Sequence, residues 1–387
     1  MTRDGVGTGW TIAGAAALLG LVAGCSGPYQ APLARRSIEK EREPAVERDP
    51  ADAHRERVER QEREIARAPQ TARDPASIVQ MRERALMVLS AAAGGATPEE
   101  RANALEALTL APGRLNVVVG SALTDQNPGV RGVAAMAVGR ARLRSAAALV
   151  QPLLSDPSPL VRSSAIFALL RCEQPVDATP LAEMLLDQDP LVRAQAAFVL
   201  GELGERSALG PLRDAARQSL PRASPAAVRL MDLQIAEARA KLGDDTALVD
   251  IRTALFPARP EDLEAVALAA QIVGQIGDRS AIDRLVFLTA EWDKERRPMP
   301  AEIRLAAAAS LAKLGRRQGS FIADAYRKSE QDTLRAHAAL VYGETGWVEN
   351  LDVLNEMLQD PSGRVRVAAA AGIVKIAAQT GLAADGQ

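Results

Sequence analysis

Aromatic residues make up only 3% of this 387-residue chain, although 47% of it is hydrophobic. Its apolar bulk therefore comes mainly from Ala, Leu and Val, a composition that suits closely packed helices. Two cysteines and two histidines leave almost no material for a metal cluster or a disulfide framework. A formal net charge of -2 gives no electrostatic case for nucleic acid. The chain contains no P-loop, dinucleotide fingerprint, HExxH, CxxC or nucleophile-elbow motif. His54 falls in a charged linker and His337 inside a helical pattern, where a packed or surface role is expected rather than a catalytic one. Cys172 ends a helical pattern and reads as a partly buried thiol. Acidic residues are plentiful but sit in turns and on solvated faces, so neither a cofactor nor a metal is expected.

What the chain does have is one repeated unit, clearest from Asp187 to Gly204. Asp189 and Pro190 fit the N-cap and first turn of a helix, since the carboxylate can accept an orphan N–H and proline gives up only an N–H that was unpaired anyway. Gly204 suits the C-terminal stop. Val192, Ala196, Leu200 and Leu203 share one stripe at helical spacing and need a neighbour to cover them. The unit can be followed by its Arg through Arg101, Arg131, Arg162, Arg193, Arg229, Val266, Arg304, Arg335 and Arg366. Second helices lie between, as at Thr179 to Leu186, Ser207 to Gln218, Ala281 to Ala290 and Leu351 to Leu358. Nine helix pairs with a period of 30 to 38 residues specify a solenoid, in which each unit is too small to bury its own face.

The units resemble HEAT repeats, specifically the short kind also found in phycobilisome lyases. The pattern of an Asp, Val-Arg six residues on, then Ala-Ala and Leu-Gly is met by Asp125 with Arg131, Asp156 with Arg162, Asp187 with Arg193, and Asp360 with Arg366. The resemblance implies an all-α, right-handed α-solenoid in which these Asp and Arg side chains form a structural ladder between neighbouring units. The ladder is in doubt at Val266, where the Arg is missing, and at Ser329, which stands in the Asp position before Arg335.

Ahead of the array, Trp10 to Ala23 is an apolar run of signal-peptide length, too short to span a bilayer comfortably. Val22-Ala23-Gly24-Cys25 follows and resembles a bacterial lipobox, which implies lipidation of Cys25, cleavage before it and acylation of the new N-terminus. From Ala31 to Ser77 there are eleven basic and eleven acidic side chains with few apolar ones, so this segment cannot offset its ordering entropy and reads as a tether. The expected organisation is a signal peptide over 1–24, a lipidated linker over 25–76, the solenoid over 77–380 and a tail over 381–387.

Two function classes follow. One is a lipid-anchored scaffold that binds a protein or peptide partner at the envelope, on the outer-membrane or periplasmic side. The other is a chromophore-handling, lyase-like protein, implied by the short-repeat resemblance. Helical geometry points Met136, Phe167 and Phe198 away from the buried stripe, as an apolar ridge with Arg140 and Arg171 at one end. That ridge is the expected partner groove. The alternative is the edge carrying the longer loops, with Phe256, Trp292 and Met299.

Overall fold

The computed structural model describes residues 74–256, 262–290, 299–316 and 318–380, together with Glu56. The lipobox, the tether, Trp292 and the C-terminal tail lie outside the described residues. Within them the chain is helical and contains no strand. The outer helix of each pair comes first: α1 (Pro75–Ala92), α3 (Pro112–Ala122), α5 (Ala147–Val150), α7 (Thr179–Met184), α9 (Leu209–Arg217), α11 (Ala247–Ala254), α13 (Ile282–Leu288), α15 (Gly319–Asp324) and α17 (Asn350–Met357). The inner, mostly Arg-bearing helices are α2 (Pro98–Ala107), α4 (Pro128–Ala141), α6 (Pro159–Arg171), α8 (Pro190–Leu203), α10 (Pro225–Lys241), α12 (Leu263–Ile276), α14 (Ala301–Lys313), α16 (Asp332–Thr345) and α18 (Gly363–Gln379). The array begins at Pro75, two residues before the expected start.

The local signals work as expected at the helix ends. Asp189 accepts the Leu191 N–H at 2.9 Å, Thr97 accepts the Glu100 N–H at 3.2 Å, and Pro190 and Pro98 open their helices. Gly204 closes α8 in the left-handed region at φ 80°. Arg142 takes the same conformation after α4 at φ 50° without a glycine.

Each inner helix packs on its outer partner and on the inner helices before and after it. Close approach between inner helices depends on the glycine of the Leu-Gly motif. A Cβ at Gly139 would come within 2.5 Å of the Phe167 ring, and one at Gly343 within 2.5 Å of the Gly372 Cα. The array does not run on as an open superhelix. α18 packs against both α1 and α2, as an inner helix packs on the two helices of the next pair, and one apolar core joins the first units to the last. The nine pairs form a closed ring.

Candidate functional site

The contacts between inner helices fix their register. Eight residues beyond the ladder Arg faces six beyond the next one, as for Gly139 with Ala168 and Gly343 with Gly372. Gly201 faces Ala238 in the same way, which places Asp232, not Arg229, at the ladder position of α10. Arg229 lies one turn early and sits 3.2 Å from Asp262.

The ladder is present in three places. Arg101 grips Asp125 through Nε and Nη2 at 2.7 and 2.9 Å, Arg131 grips Asp156 at 2.8 and 3.0 Å, and Arg335 grips Asp360 at 2.8 and 2.9 Å. In each rung the Arg reaches the Asp of the following unit, while its Nη1 donates to a backbone carbonyl of its own turn, as Arg131 does to the Asp125 carbonyl at 2.8 Å. Ser329 therefore does not weaken Arg335, which uses the Ser329 carbonyl at 2.7 Å. The missing carboxylate is felt by Arg304 instead, which turns to the Tyr326 hydroxyl at 2.6 Å and the Thr289 carbonyl at 3.1 Å.

Elsewhere the expected rungs are absent. Arg162 donates to the Asp156 and Pro157 carbonyls and has no ion pair with Asp187. Arg366 likewise uses the carbonyls of Asp360 and Pro361. Arg193 is buried and donates to the carbonyls of Asp187, Gln218 and Leu186. Its unit is followed by one whose loop supplies a carbonyl where a carboxylate would stand.

A second series replaces the first in the middle units, and sequence reasoning missed it. Arg213 on α9 donates to Asp244 at 2.9 Å, and Arg252 on α11 grips Asp278 at 2.6 and 2.9 Å. Arg239 joins Asp244 as well. Hydrogen bonds from Arg213 and Thr246 hold the Asp244 carboxyl far below the ordinary carboxylate value, against the opposing effect of burial. The acceptors sit in the Gly-Asp turns Gly243-Asp244 and Gly277-Asp278, so a turn that joins two units also supplies a rung.

The expected groove is not a surface. Met136, Phe167 and Phe198 are 1%, 1% and 3% exposed and pack together with Ile166, Leu181 and Val199. These positions point away from the outer-helix stripe, but other inner helices cover them. Phe167 lies on Gly139, and Phe198 is covered by Arg140 and Lys241, whose charges stand 5.8 and 5.4 Å from its ring centre.

The expected guanidinium pair is split. Arg140 is held by Glu106 at 3.0 Å and Glu202 at 3.5 Å, whereas Arg171 ends α6 half-buried with its Nε unpartnered. Lys241 bridges Glu202 and Glu237 at 2.8 and 2.6 Å. Burial alone would raise the Glu202 carboxyl, but Lys241 and Arg140 together bring it below its ordinary value. Burial would likewise lower Lys241, but Glu237 and Glu202 raise it. Glu237 occupies the position that Phe198 holds one unit earlier, so the apolar ridge gives way to a buried ion network.

His337 and Cys172 are both buried, Cys172 completely, and burial pushes the thiol up. Among the described residues, no group of His, Cys, Asp and Glu could hold a metal ion, and no helix is long and apolar enough to cross a membrane.

Residues 85–169 and 116–197 match the family model of HEAT repeats. This stretch is built of HEAT repeats. No curated protein matches the chain. Among solved structures, human deoxyhypusine hydroxylase in complex with glycerol is similar at 16% identity, covering 70% of this chain and 99% of that one with a TM-score of 0.34. An engineered protein is similar at 18% identity over 86% of this chain and 96% of its own, TM-score 0.31. Kap121p bound to Nup53p is similar at 12% identity over 73% of this chain and 40% of its own, TM-score 0.30.

The loop edge of the array divides as well. Phe256 is 55% exposed, directly after α11, whereas Met299 is 6% exposed and joins the core of units six and seven. Met299 is thus a packing residue, because its side chain fills the space ahead of α14.

Proposed function

We propose that the protein is a lipid-anchored HEAT-repeat scaffold that holds a protein or peptide partner at a bacterial cell envelope, by binding rather than by catalysis. One observation carries this reading. Among the described residues, the large apolar side chains left in solvent are Val79, Met87, Leu110, Val117, Leu149, Leu186, Val249 and Phe256, and all but Leu110 lie on outer helices or directly after one. Val117 is 81% exposed, and Leu149 in the next unit lies beside Gly120, one turn beyond Val117. Apolar residues that recur unit after unit on one side of a rigid array mark an interaction surface more strongly than scattered single ones do. The partner surface in this reading is therefore the outside of the ring, while the inner helices serve its packing.

The anchor is supported by Val22-Ala23-Gly24-Cys25 after an apolar run, and the 49 residues from Cys25 to Arg73 would give the ring reach from the bilayer. Two measurements test the reading. Mass spectrometry of the mature N-terminus should find a lipidated Cys25, and Cys25→Ser should leave unprocessed precursor. In intact cells, a photo-cross-linker at Val117 or Val249 should give the same discrete adduct, and one at Glu264, exposed on the inner helix α12, should give none. An unmodified Cys25 would remove the anchor. Adducts formed equally well from Glu264 would remove the outer-face scaffold.

A further inference from the structure

Arginines in this ring generally face carboxylates or turn carbonyls, and Arg284 on α13 has a turn carbonyl and two aromatic rings around it but, among the described residues, no carboxylate. Its guanidinium carbon lies 4.1 Å from the centre of the Phe256 ring and 4.5 Å from that of Phe287. Nε and Nη2 both donate to the Leu255 carbonyl, at 2.9 and 2.7 Å. Among the described residues, Nη1 makes no hydrogen bond. The second series of rungs also stops here. The turns after α10 and α12 carry Asp244 and Asp278, but the turn after α14 carries Arg316.

Burial without a counter-charge brings Arg284 down to about 10. Both rings lie against the guanidinium and the Leu255 carbonyl takes its Nε edge, which leaves the edge formed by Nη1 and Nη2. A planar fork with one free edge matches a carboxylate. An approaching carboxylate would supply the missing counter-charge, and the exposed Phe256 ring beside it would cover an adjacent apolar side chain. An inorganic anion would gain nothing from that ring.

We propose that Arg284, clamped between Phe256 and Phe287, is a docking point for an acidic side chain of a peptide partner, with the residue next to it seated on Phe256. The inference rests on the scaffold reading and names the chemistry of one contact in it.

The test uses the full chain labelled at arginine Nε, with two blocked dipeptides as probes, acetyl-Phe-Glu-amide and acetyl-Phe-Gln-amide, and inorganic phosphate as a third. The Nε–H signal that disappears in Arg284→Gln should shift with the Glu peptide and stay still with the Gln peptide and with phosphate. Phe256→Ala should weaken the Glu peptide, and Arg284→Lys, which keeps the charge but loses the fork, should weaken it about tenfold. Equal shifts with the Gln peptide, or with phosphate, would overturn the assignment. A response that appears only after residues 25–73 are cleaved away would make the chain's own linker the occupant and overturn the partner. None of these outcomes bears on the cross-links from Val117 and Val249, so this proposal and the scaffold reading can fail separately.

Discussion

Arg131→Ala and Arg162→Ala remove the same side chain from successive units and separate the ladder from its background. Arg131 makes two charge-assisted hydrogen bonds to Asp156, at 2.8 and 3.0 Å, and donates to the carbonyls of Asp125 and Gln126 at 2.8 and 3.2 Å. Arg162 makes only the carbonyl contacts, at 2.8 and 3.1 Å. The Asp156 side chain is 5% exposed, so removing Arg131 strands a buried carboxylate with the Ser158 N–H at 2.9 Å as its remaining donor. Breaking a buried pair from one side costs about 3–5 kcal/mol. Arg131 is itself 16% exposed, which lets water reach part of the gap, and we expect about 2–4 kcal/mol. Arg162→Ala should cost about 1 kcal/mol.

Urea unfolding followed by circular dichroism measures both, and the cycle with Asp156→Ala isolates the pair. Acid adds an independent check. Burial would raise the Asp156 carboxyl, but the Arg131 hydrogen bonds, the Ser158 N–H and the charges of Arg131 and Arg162 together bring it below 3.8. A folded value below the unfolded one means that the stabilisation is fully present above about pH 4 and is lost as pH falls through the folded value. Arg131→Ala should flatten that acid slope and Arg162→Ala should leave most of it. Equal costs for the two substitutions, or a coupling near zero between Arg131 and Asp156, would refute the reasoning.

Phe167→Ala should destabilise the ring by about 3–5 kcal/mol, because the side chain is 1% exposed and packed on Gly139; a thermal melt that barely moves would return Phe167 to the surface. Ring closure predicts that ending the chain at Pro361, which removes α18, speeds amide exchange in α1, almost 290 residues earlier in sequence. Unchanged protection at Ile78, Leu86 and Leu89 would mean an open array.

The helix pairs, their caps and their number were legible because each rests on short-range chemistry: Asp189 before Pro190, Thr97 three residues before Glu100, Gly204 at the stop. The ladder was legible in part. The Arg and Asp positions were visible, but which Asp an Arg reaches depends on the rise from one unit to the next, so the rung from Arg162 to Asp187 was expected and is missing. The register of α10 was misread because Arg229 is the conspicuous residue, while packing of Gly201 on Ala238 decides the matter. The groove failed for a related reason. A single buried stripe was assigned to each inner helix, and directions opposite it were taken as solvent. In the ring an inner helix is enclosed by its outer partner and by both inner neighbours, so the face carrying Phe167 and Phe198 is a third buried face.

Closure follows from small differences in rotation between units, which no local pattern encodes, yet the terminal helices carried a trace of it. An open solenoid needs a polar outer face on its last unit to stay soluble. From Val365 to Ala377, α18 reads Val-Arg-Val-Ala-Ala-Ala-Ala-Gly-Ile-Val-Lys-Ile-Ala, apolar nearly all round, and a helix of that kind is enclosed. At the other end α1 presents Ile78, Ala85, Leu86 and Leu89, all buried. Among the described residues, the first and last helices cover each other. The same arrangement buries the inner helices of the first and last units against each other, and it turns the search for a partner to the outer helices, α1 with exposed Val79 and Met87 among them, and to the guanidinium beside Phe256 and Phe287.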